Sequence, residues 1–356
     1  MEKTENKVCY QGIDIMKFIM ALFVMVLHTH PLVDINDKLD FLTANIIGRV
    51  AVPFFFSATG FLLEKQMIRQ RENVNESSAE RTERKIIIQY IKKNLILYCI
   101  WTLVYLPIII YDKAVVSDTT LTYAFFTMIR DFLFTGSYVH LWYLPATAVG
   151  LIIVYVFRKY MCEWKCAAIL LILFCMGLLT QSYFGLFLKI VSVDSILWKL
   201  MKLIKKLMVT CRNGIFFGSF FIYIGTWIAR RDMKVKLRYS VTGFIVSIIF
   251  FSIEASCLQK IHFVREQDMY LMLIPAAFFL LLSAIQITVK TNTVFLRKMS
   301  VNIYFVHMVF KFIYRTFIGE YYENGMRMFM FALCGTFIIS YAMYLFERRK
   351  MNIHQN

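Results

Sequence analysis

Long apolar runs broken by short charged stretches dominate this chain. A helix needs about 20 residues to cross the hydrocarbon core of a bilayer. The pattern predicts ten such spans, near 12–32, 41–64, 87–111, 140–158, 166–188, 212–230, 239–258, 268–289, 300–319 and 326–346. The expected fold is an all-α integral membrane protein with one multi-pass domain over residues 1–356, and no internal repeat is evident. Residues 121–135 are apolar but short and hold Arg130 and Asp131, so the pattern alone allows an eleventh span.

Charge decides between ten and eleven. With ten spans and both termini in the cytoplasm, the inner segments are 1–11, 65–86, 159–165, 231–238, 290–299 and 347–356. These collect RQRENVNESSAERTERK, RKYMCEWK, RRDMKVKLR, KTNTVFLRK and ERRK. That is the distribution by which membrane proteins fix their orientation, and an eleventh span would reverse it for everything downstream. Residues 112–139 are therefore expected outside, with a half-helix at the interface. The charged stretch 65–86 reads as a flexible cytoplasmic connection.

Composition agrees. The 356 residues are 59% hydrophobic, 17% aromatic and only 18% charged, against about a quarter charged in a soluble domain. Soluble nucleotide-binding folds, zinc fingers and secreted disulfide scaffolds are thereby poor readings. The net charge of +17 invites a nucleic-acid partner, but the Lys and Arg residues sit at the ends of apolar segments, and the partner they imply is the lipid bilayer. Eight cysteines are scattered; Cys162 and Cys166 lack the second pair or histidine that a zinc site needs, so no metal is expected. The first apolar run contains Asp14 and Lys17 and no small-residue cleavage site follows it, which is unlike a signal peptide. Residues 195–208, SILWKLMKLIKKLM, place Ile196, Leu200, Leu203 and Leu207 on one helical stripe and Lys199, Lys202 and Lys206 on another. They read as an interfacial amphipathic helix, either a plain anchor or a cationic platform for an anionic acceptor.

Ionisable groups inside a bilayer cost a few kcal/mol or more each and usually face a protein interior. Here they are Lys17, His28, Arg49, Glu254 and His307, with His140 at a span end. Lys17 and His28 are eleven residues apart, hence about 20° apart around the helix and about 16 Å apart in depth. Rise counting from the span ends groups His28, Arg49 and Glu254 in one layer, about 22–24 Å from the inner boundary. It groups Lys17, Ser57 and His307 in another, at about 7–11 Å. An imidazole beside a carboxylate and a guanidinium is a general-base site in outline, with Glu254 as the candidate partner of His28. The alternative is that these residues are helix–helix glue. On composition alone, Trp142 and Tyr143 read as an interfacial anchor.

Five segments, taken in order, resemble membrane-bound acyltransferase family 3. GIDIMKFIMALFVMVLH (12–28) is similar to its opening, a basic residue and a histidine separated by ten others. RVAVPFFFSATGFLL (49–63) resembles its second-helix motif, HLWYL (140–144) its short aromatic motif, and RNGIFFGSFFIYIG (212–225) and SVNIYFVH (300–307) its later signatures. The resemblance implies transfer of an acyl group, commonly acetyl from acetyl-coenzyme A as co-substrate, to a hydroxyl of a cell-surface glycan or lipid-linked sugar. The setting would be the bacterial cytoplasmic (inner) membrane, with no bound cofactor. It implies His28 as the catalytic histidine and Lys17 as the basic partner serving the donor. Arg49, Ser57 and His307 are expected beside the donor, and His140, Trp142 and Arg212 in acceptor-binding or structural motifs. The chain departs from the family pattern at Ala58-Thr59-Gly60, where a Ser-Gly ending is usual, and at Lys92-Lys93-Asn94-Leu95-Ile96, where a second basic residue is missing. RNGIFFG also resembles the membrane half of vancomycin-resistance serine racemases, which leaves a transporter for a serine-like amino acid as the alternative function.

Overall fold

The computed structural model describes residues 10–72, 75–117, 120–192, 194–318 and 325–353; the outermost parts of the two expected cytoplasmic termini lie outside these. The described residues form helices and no strand. In chain order they are α1 (Gln11–Thr29), α2 (Asp37–Asp40), α3 (Ala51–Arg71), α4 (Glu76–Tyr111), α5 (Leu121–Phe134), α6 (Tyr143–Tyr160) and α7 (Glu163–Thr180). Then come α8 (Phe184–Ile190), α9 (Ile196–Met208), α10 (Ser219–Arg231), α11 (Leu237–Lys260), α12 (Leu273–Gln286), α13 (Val294–Phe317) and α14 (Gly325–Ile353). A helix lies at each of the ten expected positions. Among the described residues, six are long and apolar enough to cross a membrane: Gln11–Thr29, Asp37–Arg71, Ser78–Ala114, Glu163–Thr180, Leu237–Lys260 and Gly325–Lys350.

Three boundaries differ from expectation. The described part of the stretch 65–86 is almost wholly helical: α3 runs to Arg71 and α4 begins at Glu76. Its Glu, Arg, Ala and Gln residues are good helix formers, and Arg71 pairs with Glu83. At 268–289 only the 14 residues of α12 are helical, so Asp268 belongs to the irregular segment before it. Helix α13 starts at Val294, six residues before the expected 300.

Helix α3 packs closely against α10. A Cβ at Gly60 would come 2.1 Å from the Ile222 carbonyl oxygen, so only glycine permits this crossing. Beyond it, Glu64 is sealed at 1% exposure and accepts from both Nη atoms of Arg158 on α6 and from Nε of Arg230 on α10. Helix α5 lies against α4 and the turn after it, through Tyr98 Oη donating to the Phe132 carbonyl (2.8 Å) and Lys113, just past α4, pairing with Asp131 (2.8 Å). Helix α9 leaves Ile196, Leu197, Leu200 and Leu203 exposed and turns Trp198 inward to stack on Phe187. Such an exposed apolar stripe suits a helix lying in the membrane interface.

Candidate functional site

The site gathers short segments at helix ends around the last turn of α1. That turn stops cleanly: His30 takes a left-handed conformation (φ 49°), its N–H bonds the Val26 carbonyl, and Pro31 cannot continue the helix. Lys311 Nζ on α13 donates to the His28 carbonyl (2.5 Å), satisfying one of the carbonyls a helix end leaves over. His28 is half-buried, and its ring stacks on that of His307 (centroids 5.5 Å apart, 27° between planes).

Arg49 sits where the chain is not regular α-helix. A π-helical turn (Phe41–Ile47) and a 3-10 turn (Gly48–Val50) precede α3. Pro53, four residues on, has no N–H to offer the Arg49 carbonyl and its ring crowds it, which is a local reason for the irregular winding. Arg49 Nη1 donates to Asp268 Oδ1 (2.7 Å) and Nη2 to Asn45 Oδ1 (3.1 Å).

His140 and Trp142 arrive on the turn before α6. Gly136 makes that turn possible: its φ is 87°, and a Cβ there would lie 2.4 Å from Trp142 Cα. The His140 ring meets Tyr105, Tyr138, Tyr304 and His307 edge to face. Its carbonyl accepts from Tyr304 Oη. Arg212 is placed by the Asn213 beside it, whose side chain caps the next helical segment by accepting from the N–H groups of Ile215 and Phe216. The Arg212 guanidinium stacks over Trp142 (5.0 Å to the ring centroid), and Nη1 donates to the same Asp268 oxygen (3.1 Å).

His28, Arg49, His140, Trp142, Arg212 and Asp268 thus line one small cavity of about 40 Å³, together with Tyr304 and Phe217. Asp268 lies between α11 and α12. Its carboxylate is the counter-charge to both Arg49 and Arg212. Nε of Arg49, Nε of Arg212 and Nε2 of His307 are buried with no hydrogen-bond partner among the described residues. A buried cluster with this much unused capacity is suited to binding rather than to holding helices together.

Three expected placements are corrected. Glu254 does not face His28: its carboxylate accepts from Tyr183 Oη (2.6 Å) and from the N–H groups of Leu271 (2.7 Å) and Met272 (2.9 Å), tying down the start of α12. The carboxylate beside the guanidiniums is Asp268. His307 is not in the layer of Lys17. Starting α13 six residues earlier adds about 9 Å to its depth, which brings it level with His28. Trp142 is buried and covers Arg212 instead of anchoring in lipid. Lys17 does share the buried face of α1 with Met20, Ala21 and Val24, the face that ends at His28. Asp14 on that face accepts from Thr293 Oγ1 (2.8 Å). Ser57 is fully buried where α3 crosses α10, away from the cavity. Both departures from the family pattern have partners. Thr59 Oγ1 lies 3.3 Å from Tyr143 Oη, and Asn94 Nδ2 donates to the Leu144 carbonyl (2.6 Å).

Sequence reasoning missed Asp268 and Lys311. Lys311 was within reach, being four residues after His307 and so on the same helix face. Asp268 had no local signal, since only the tertiary fold brings its loop to Arg49.

Comparison with known proteins bears on what such a cavity does. A family model described as an acyltransferase domain, that of acyltransferase family 3, matches residues 10–345. An amino-acid racemase of Enterococcus faecalis is 30% identical over 276 residues, which cover 78% of this chain and 35% of that protein. A serine/alanine racemase of Enterococcus gallinarum is 29% identical over 276 residues (76% and 36%). A second amino-acid racemase of Enterococcus faecalis is 26% identical over 342 residues (95% and 46%). The chain therefore spans only about a third to a half of the length of these relatives. No solved structure matches it.

Proposed function

The chain belongs to acyltransferase family 3, and on that premise we propose that it is an O-acyltransferase of the bacterial cytoplasmic membrane. In this reading it moves an acetyl group from cytoplasmic acetyl-coenzyme A to a hydroxyl of a cell-surface glycan or lipid-linked sugar. The observation that carries the reading is the position of His28: its imidazole closes the Lys17 face of α1 and lines the cavity beside two guanidiniums.

The donor comes from the Lys17 end, its phosphates near basic side chains and its thioester reaching toward His28. The acceptor comes from the opposite end. His28 takes the proton of the acceptor hydroxyl, whose oxygen attacks the thioester carbonyl carbon. The C–S bond breaks, and the proton on His28 passes to the departing thiolate. The products are the acyl ester and free coenzyme A. The stacked His307 ring and the Lys311 contact to the His28 carbonyl hold the base in place. A positioned general base contributes about 10²–10⁴-fold in rate. Purified protein in liposomes, given labelled acetyl-coenzyme A and envelope glycan, is expected to lose transfer by that factor in His28→Ala. Wild-type transfer in that variant contradicts the assignment.

A second reading, a transporter-like protein for a serine-like substrate, draws on the paired arginines, which suit an amino-acid carboxylate; the relatives' names point to an amino acid and not to transport. Serine accumulation by proteoliposomes, without acetyl-coenzyme A binding, would favour it.

A further inference from the structure

Arg49 and Arg212 carry two positive charges against the single carboxylate of Asp268, and both use the same oxygen of it, at 2.7 and 3.1 Å. Each guanidinium keeps a buried Nε without a partner among the described residues. The Trp142 ring covers one face of Arg212, which excludes water from it and holds its plane. Lys311, bonded to the His28 carbonyl, adds further positive charge close by. A planar fork of N–H donors with capacity to spare matches a carboxylate, which it binds through paired charge-assisted hydrogen bonds. The same cavity presents the His28 ring, and its volume of about 40 Å³ admits only small groups.

We propose that Arg49 and Arg212 form a subsite for a carboxylate carried by the acceptor beside the hydroxyl that is acylated. The inference rests on the reading of His28 as the base that meets that hydroxyl, and it narrows the acceptor to hydroxy acids, either uronic-acid sugars or hydroxy-amino acids. The carboxylate docks on the guanidiniums, which directs its neighbouring hydroxyl toward His28, while the rest of the acceptor stays outside the cavity. Asp268 orients the two arginines and competes for them, so it weakens the subsite it builds.

The test uses the full chain in lipid nanodiscs and two probe pairs, each differing in a carboxylate: glucuronic acid with glucose, and serine with ethanolamine. Binding is measured without donor, and transfer with labelled acetyl-coenzyme A. In at least one pair the anionic member is expected to bind about tenfold tighter or more, the discrimination that a charge-assisted hydrogen bond supplies. That gap closes to within about twofold in Arg212→Gln and Arg49→Gln, and it widens in Asp268→Asn, whose opposite sign separates the effect from misfolding. The pair that shows the gap identifies the acceptor as sugar or amino acid. A gap below about twofold in wild type, or one that survives Arg212→Gln, overturns the subsite. A binding gap with no transfer to any probe or to envelope glycan leaves the subsite standing and removes the acyltransferase reading; equal transfer to both members of each pair does the reverse.

Discussion

Two buried clusters in this protein have the same composition, one carboxylate between two arginines, and differ in how fully that carboxylate is engaged. Glu64 engages Arg158 through both of its oxygens and also takes Arg230, and it is sealed at the crossing of α3, α6 and α10. Asp268 serves Arg49 and Arg212 through one oxygen and borders a cavity shared with His28. The first cluster joins Glu64 inside α3 to Arg158 and Arg230 in the last turns of α6 and α10. The second joins residues just outside helices: Arg49 before α3, Arg212 before α10 and Asp268 before α12. Three donors close over both oxygens of Glu64, whereas two donors share one oxygen of Asp268 at the edge of a cavity. The same ion-pair chemistry thus acts as a lock in one place and as a receptor in the other. Charge content alone does not distinguish them; how fully the carboxylate is engaged, and whether a cavity reaches it, does.

The contrast can be broken most forcefully at Glu64. Removing one partner of a buried ion cluster leaves the others uncompensated and costs about 3–5 kcal/mol. Glu64→Ala is expected to lower the melting temperature sharply and reduce the amount of folded protein recovered. Unchanged melting would mean that the cluster is not a lock. Next in size is Gly60→Ala, which pushes a methyl group into the Ile222 backbone. Overpacking of that kind costs about 1–3 kcal/mol, read as a loss of thermal stability in detergent. Asp268→Asn sharpens the comparison from the other side: it alters anion binding with a smaller stability loss than Glu64→Ala. If the two carboxylate variants melt alike, the distinction between lock and receptor fails. The smallest effect is expected on α9, where Leu203→Asp shifts detergent melting by about 0.5 kcal/mol or less, because the exposed side chain packs against no core. Its effect belongs to membrane binding, read as weaker retention on liposomes.

What the sequence reveals follows the same division. Features carried by one helix were legible: the shared face of Lys17 and His28 follows from an eleven-residue spacing, and the amphipathic stripe of α9 from periodicity. Features that depend on where a helix starts were blurred, because each residue of boundary error moves a side chain about 1.5 Å in depth. His307 was misplaced for that reason. Features that depend on a loop meeting a distant helix were hidden. Glu254 was the obvious acidic residue within a span, yet its oxygens are used by the start of α12, and Asp268 from the adjoining loop occupies the place foreseen for it. The charged stretch 65–86 misled in another way: charge density resembles disorder, but its residue types favour helix.

The central claim, that the acyl group is presented to His28 along the face shared with Lys17, is tested most directly by a structure with a non-hydrolysable thioether analogue of acetyl-coenzyme A. The account predicts the analogue's acyl carbon facing the His28 imidazole, with room for an attacking oxygen roughly 3–3.5 Å from that carbon, and its phosphates at the Lys17 end. An analogue bound elsewhere, or with its acyl end turned away from His28, would contradict it.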